Sequence, residues 1–229
     1  MLPDLRQRSS RPELLDAPDI PRSDLRDNLR ELDLINRWLG GHRVTLTGLQ
    51  RLLTDHQRHW RIVDIGCGGG DTLRALAHWR ELQGLQLSLT GVDLKSDCLD
   101  FARETCQGLD IEWLQADYRT LENTYDVIIC SLFCHHLDDQ QLRVFLSWCR
   151  THAEHGLLIN DLHRHGLAWA GIRFLTTLFS RSKLVRHDAP LSVLRGFIRS
   201  EWEQALSETG WQAELQWCWA FRYRVIGHV

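Results

Sequence analysis

Several features that fix a protein's class at once are missing from this sequence. No apolar run approaches the roughly 20 residues of a membrane-spanning helix, so no span is expected. The opening residues, MLPDLRQRSSRPELLD, contain no apolar h-region and do not read as a secretory leader. Lysine and arginine total 27 against 30 aspartates and glutamates, a net charge of −3. The basic excess that marks nucleic-acid-binding chains is therefore absent, and no nucleic-acid partner is expected. The seven cysteines are scattered, odd in number and without paired CxxC spacing. Cys130 and Cys134 stand four apart with no second ligand pair, so no metal site is expected. Reduced thiols in a cytoplasmic protein are the natural reading. Internal repeats, low-complexity segments and linkers are also missing.

The residues that are present fit one globular unit. The 229 residues suffice for one large core, and 43% hydrophobic with 25% charged residues is ordinary for a soluble domain. Residues 1–23 carry four prolines and many charges and read as a poorly ordered arm. Residues 24–58 read as two helices, the first with Leu25, Leu29, Leu32, Ile35 and Leu39 at helical spacing and Gly40-Gly41 as its stop. From Arg61 to Asp161, strands (61–65, 87–93, 111–117, 125–131 and 156–161) alternate with helices. That alternation argues for a parallel sheet covered by helices on both faces, an α/β fold. VIICSLF and GLLI are apolar throughout, as strands buried on both faces require. In the insert 162–199, a helical stretch precedes KLVRHDAPLSVLRGF, which reads as irregular. Residues 200–229 should hold a helix begun by Ser200 and Glu203 and stopped at Gly210, then two antiparallel edge strands.

The chemistry gathers around IVDIGCGGGD, residues 62–71. Gly66, Gly68 and Gly70 come after the first strand, where a GxGxxG dinucleotide loop would need a glycine in place of Asp71. A carboxylate at the start of the next helix suits the helix dipole but competes with a pyrophosphate for the same N–H groups. The loop thus suits a ligand without phosphates, or else is only a tight strand-to-helix turn. Asp93 ends the second strand 23 residues after Gly70, where a carboxylate can accept both hydroxyls of a ribose. Asp117 ends the third strand 24 residues later, where a carboxylate can accept the amino hydrogens of adenine; either aspartate could instead cap a helix. Asp64, inside the first strand, must either bond the loop's own N–H groups or meet a cationic ligand.

Taken together, these motifs resemble the class I S-adenosylmethionine-dependent methyltransferase family. IVDIGCGGG resembles its first motif, GVD its ribose-binding second, QAD its adenine-binding third, and YDVIICSLFCHHL the fourth. The resemblance implies a Rossmann-like, seven-stranded, mostly parallel sheet with an antiparallel last strand, lid helices ahead of it and an insert after the fifth strand. It also implies S-adenosyl-L-methionine as cofactor. By the same resemblance, the amino acid part of the cofactor meets Asp64, Gly66, Cys67, Gly68 and Gly70 in the loop. Its adenosine meets Asp93 and Leu94 after the second strand and Asp117 and Tyr118 after the third, with Ser131 at the end of the fourth.

The acceptor is read from the residues beyond the fourth and fifth strands. No Asn/Asp-Pro-Pro-aromatic motif or placed glutamate pair marks a DNA or protein-arginine methylase. A phenol, with pKa about 10, needs help to ionise at neutral pH, and a histidine can take its proton. His136 is the preferred base and His135 its neighbour, although HHL before Asp138-Asp139 also reads as a helix start. The apolar insert reads either as core packing or as a lid over a greasy aromatic acceptor, with His163, Trp169, Phe174 and Arg195 as acceptor contacts. INDLHRH and the segment to Phe197 resemble a bacterial subgroup that accompanies type III polyketide synthases and phenolic-lipid pathways of secondary metabolism. That resemblance implies O-methylation of a phenolic or quinonoid small molecule. C-methylation of the same ring, a macromolecule methylase and an NAD-dependent oxidoreductase are the alternatives, the last opposed by Asp71 and the lack of a YxxxK arrangement.

Overall fold

The computed structural model describes residues 3–17 and 19–229; positions 1, 2 and 18 of the expected arm lie outside the described residues. Helices α1 (Arg22–Trp38) and α2 (Gly41–Leu52) precede the sheet. Then β1 (His59–Ile65), α3 (Asp71–Gln83), β2 (Gln86–Asp93), α4 (Ser96–Thr105), β3 (Glu112–Gln115), β4 (Tyr125–Ser131), α5 (Asp139–His152) and β5 (Ala153–Leu162) alternate as the apolar periodicity requires. α6 (Gly166–Phe179), α7 (Lys183–Arg195) and α8 (Arg199–Glu208) come next, and β6 (Gln212–Cys218) and β7 (Arg222–His228) close the chain.

The seven strands run in the order β3-β2-β1-β4-β5-β7-β6. β1 to β5 are mutually parallel, and β7 enters antiparallel between β5 and β6. Period-2 alternation splits the core between the two faces. Ile62, Val127 and Ile129 pack with Leu49, Leu73 and Leu76 on the α2/α3 side. Val63, Ile128 and Cys130 pack with Phe145, Trp202 and Val225 on the α5/α8 side. Sheet order reverses between β1 and β4, so the loops leaving these strands diverge and open a crevice at their carboxyl ends.

Three local expectations change. KLVRHDAPLSVLR, expected to be irregular, is helix α7. The Ser182 hydroxyl accepts the Val185 N–H at its start, and Pro190, which removes one helical rung, masks the periodicity. Ser200 does not cap α8: the cap is Ile198, whose N–H donates to Glu201 Oε2 at 2.9 Å. Ser96, expected from its residue type to cap the helix after the second strand, is instead the first helical residue of α4, with Lys95 in the cap position.

The arm also differs from expectation. Its described residues cross the carboxyl edge of the sheet in defined contacts. Leu14 and Leu15 N–H groups donate to the Asp188 carboxylate at 2.9 and 2.8 Å, and Lys95 Nζ donates to the carbonyls of Leu15 and Ala17. Arg8 lies over the Phe197 ring, 4.0 Å from its centroid, and donates to the Leu137 carbonyl at 2.7 Å. Arg8, one of the charges that suggest disorder in sequence, here donates to part-buried carbonyls.

Candidate active site

A cavity of about 660 Å³ lies along the carboxyl edge of the sheet, walled by the glycine loop, the arm, α1, α6 and α7. Its size is that of a small-molecule site. The loop enters it because Gly66 and Cys67 N–H groups donate to the Val92 carbonyl on β2, which turns the chain sharply off β1. Gly66 has φ +70°, and a Cβ there would lie 2.4 Å from the Phe133 ring. Gly70, at φ +74°, abuts Trp113 at 2.6 Å by the same test and does not line the cavity. Its role is packing of the turn against α4 and β3, so it leaves the expected cofactor set.

The other nine expected cofactor residues all line the cavity. Asp64 is 1% exposed, and neither carboxylate oxygen has a hydrogen-bond partner. The alternative that it bonds its own loop is therefore not realised. Burial, with Asp71 and Asp93 nearby, pushes its carboxyl well above the ordinary range. Asp93 accepts the Gly68 and Lys95 N–H groups, both at 2.9 Å, and so braces the loop from β2; burial still raises its pKa. Asp117 does cap a short helical turn: it accepts Arg119 N–H at 3.0 Å and pairs with the Arg119 guanidinium at 2.5 Å, which lowers its pKa. Asp71 caps nothing. It accepts from His42 Nε2 at 2.7 Å and Asn36 Nδ2 at 2.8 Å, tying α1 and α2 to the start of α3.

Facing the loop is a cluster of imidazoles and carboxylates. His135 is 3% exposed, with Nδ1 2.7 Å from Asp161 Oδ1, while its backbone N–H donates to Asp161 Oδ2 at 3.1 Å. Burial works to raise the Asp161 pKa, but His135, the Leu162 N–H and His136 together hold the carboxylate below the usual range. An ionised carboxylate only accepts, so Nδ1 donates to Asp161 and Nε2 is the ring nitrogen left free of that bond. His136 is more open, its Nδ1 3.1 Å from Asp16 Oδ1 of the arm, and its ring centroid lies 4.4 Å from that of His135. Glu13 approaches both Nε2 atoms at 3.7 and 3.9 Å, and burial raises its pKa.

None of the four expected acceptor contacts lines the cavity. His163 sits at the sheet edge, accepting from Trp217 Nε1 and packing on Tyr223. Trp169 stacks with Arg173, and Phe174 is 63% exposed. α6 presents Leu167, Ala168, Gly171, Ile172 and Leu175 to the cavity instead. Arg195 is buried and donates to the carbonyls of His135, His136 and Arg11 at 3.0, 2.8 and 2.6 Å, so it holds the histidine turn and the arm in place. Sequence reasoning missed Glu13, Asp16 and Asn28. Asn28 is 1% exposed on the apolar stripe of α1, and its Oδ1 has no partner at the cavity wall. A polar residue one turn from Leu25 within that stripe was the available signal.

Comparison with known proteins agrees with this geometry. Residues 62–156 match a family model described as a methyltransferase domain. The chain is 38% identical over 69 residues to the cyclopropane-fatty-acyl-phospholipid synthase of Escherichia coli, covering 30% of this chain and 17% of that one. It is 26% identical over 131 residues to the mitochondrial ubiquinone biosynthesis O-methyltransferase of Saccharomyces cerevisiae, covering 55% and 39%. The matches thus span well under half of these relatives' own length. Among solved structures, the plantazolicin methyltransferase BpumL in complex with SAH superposes with a TM-score of 0.66 at 17% identity, over 90% of this chain and 88% of that one. Human N-acetylserotonin methyltransferase in complex with SAM superposes with a TM-score of 0.64 at 14% identity, over 91% and 56%. Residues 62–156 therefore form a methyltransferase domain, and the chain has the fold of the class I S-adenosylmethionine-dependent methyltransferases.

Proposed function

We propose that this protein transfers the methyl group of S-adenosylmethionine to an oxygen of a small, apolar, phenolic or quinonoid acceptor. The observation that carries this reading is the His135–Asp161 pair, buried opposite the glycine loop with Nε2 toward the cavity. The cofactor supplies a sulfonium methyl. The chain's own residues hold it: unpaired Asp64 suits the cationic amino group, and Asp93 and Asp117 keep lone pairs for the ribose hydroxyls and the adenine amino group.

The acceptor hydroxyl gives its proton to His135 Nε2. The oxygen so freed is the nucleophile for the methyl that bound S-adenosylmethionine would supply, and the carbon–sulfur bonding pair would stay on sulfur as a neutral thioether. Asp161 fixes the tautomer and balances the imidazolium that forms. The greasy walls from α6 and α7 exclude water and suit an apolar ring. His135 replaces His136 as the preferred base because its supporting carboxylate is buried beside it, whereas the partner of His136 lies on the exposed arm.

Calorimetric titration with S-adenosylhomocysteine, with NADH as comparison and Asp93→Ala as control, tests the cofactor half. Micromolar binding of the thioether that weakens in the variant is expected. Preference for NADH, or no binding of either, overturns the reading.

A further inference from the structure

α6 has an unusual surface. Only Thr176 of its 14 residues is buried, although the helix is GLAWAGIRFLTTLF with Arg173 its single charge. Leu167, Phe174, Leu178 and Phe179 are 68, 63, 57 and 76% exposed. Contiguous apolar exposure of this kind marks an interaction surface on a soluble domain. From His163 to His187 the chain contains no aspartate or glutamate, yet Arg173, Arg181, Lys183 and Arg186 are exposed there, in a protein of net charge −3. Trp219, 68% exposed, stands at the cavity rim, and Trp38, 79% exposed, adjoins the cavity-lining Leu39. Glu31 of α1 accepts the Arg181 and Ser182 N–H groups at 2.9 and 3.1 Å, so the flank carries four exposed cations against one carboxylate engaged by backbone. Exposed tryptophan, phenylalanine and leucine beside such a cationic excess is the composition of a segment that lies in a lipid headgroup layer. Spanning is a different matter: among the described residues no helix is long and apolar enough to cross a membrane. Ala168, Gly171 and Ile172 of α6 line the cavity, with Leu167 and Leu175 at the margin of the two faces, so one helix separates the site from whatever covers its outer face.

We propose that α6 and its cationic flank dock on an anionic lipid surface, and that the acceptor carries an apolar chain and enters the cavity from the bilayer along α6. Docking stands on the surface alone; the acceptor route rests on the methyl-transfer reading above. A second copy of the chain is the competing occupant. It is disfavoured because the four cations of that segment would face one another around a two-fold axis.

The test is flotation of the full chain with vesicles of phosphatidylcholine, alone or mixed with phosphatidylglycerol. Retention on the anionic vesicles, falling as salt rises, is expected. Arg181→Glu with Lys183→Glu should weaken it at least twentyfold, about fivefold for each cation lost. Phe174→Gln with Phe179→Gln should weaken it at least tenfold. Neither pair touches the proposed cofactor contacts, so S-adenosylhomocysteine titration of each variant should be unchanged, which also reports folding. Failure to float with anionic vesicles overturns the docking. Self-association abolished by the phenylalanine changes, without lipid binding, overturns it in favour of a second copy. Flotation without S-adenosylhomocysteine binding supports the docking and removes methyl transfer. If the phenylalanine variant slows methylation of a vesicle-borne long-chain phenol no more than that of a short soluble one, the acceptor route is overturned.

Discussion

Asp64 carries the sharpest consequence of the cavity's lining. Its carboxyl is buried without any hydrogen-bond donor, with Asp71 and Asp93 as like-charged neighbours. Its folded pKa therefore stands above the unfolded value of about 3.9. For a carboxyl raised in this direction, the folded chain is at no disadvantage below about pH 4 and loses stability as pH climbs from there toward the folded pKa. Asp64→Asn removes the titrating group, so the variant should gain on the parent in thermal midpoint as pH rises, with the difference vanishing near pH 4. Cofactor binding reverses the preference: a cationic amino group beside Asp64 favours its ionised form, and a proton leaves as the ligand enters. S-adenosylhomocysteine titrations in buffers of different ionisation enthalpy should show proton release in the parent that Asp64→Asn lacks. A charge-assisted hydrogen bond of roughly 1.5–3 kcal/mol is lost in the variant, a weakening of about 10- to 150-fold. Equal affinity of parent and variant, with no difference in protons released, would refute the placement of the amino group at Asp64.

Other predictions rest on the same geometry. His135→Asn should lower kcat by about 10²–10⁴ with S-adenosylhomocysteine affinity unchanged, while His136→Asn should cost far less; the reverse ranking in steady-state kinetics would restore His136 as base. Asp161 is held below its ordinary pKa, so its contribution to stability is present above about pH 4 and is lost as pH falls through the folded value. Asp161→Asn should flatten that acid limb in urea denaturation followed across pH. Gly66→Ala should cost about 1–3 kcal/mol from its left-handed backbone, displace Phe133 and weaken cofactor binding, read by denaturation and calorimetry. Arg195→Ala leaves the His136 and Arg11 carbonyls without their donor, and that of His135 with Arg8 alone, and should cost about 2–4 kcal/mol while exposing the arm to limited proteolysis.

Strand-by-strand order was legible because each β-element of the core is a short apolar run between turn signals, as in YDVIICS. So was the gathering of the loop and its flanking aspartates at one cavity, since that placement depends on spacing along consecutive strands. Helix α7 escaped because Pro190 lies within it and its apolar residues form no clear stripe. The insert's acceptor contacts escaped because helical phase decides which side chains face the cavity: Leu175 does and neighbouring Phe174 does not. Arg195 reads as a ligand-binding cation in sequence, yet its partners are backbone carbonyls, which leave no trace in residue identity. Glu13 reaches His135 across more than a hundred residues of chain, a contact that no local pattern encodes.

The most direct test of the central claim is transfer itself. The purified protein would be incubated with methyl-labelled S-adenosylmethionine and a long-chain phenol, alongside His135→Asn. Label appearing on the phenol oxygen with the parent, and reduced at least a hundredfold with the variant, is the predicted result. Tight cofactor binding with no label moved to any phenol or quinol, or transfer at equal rates by parent and variant, would contradict it.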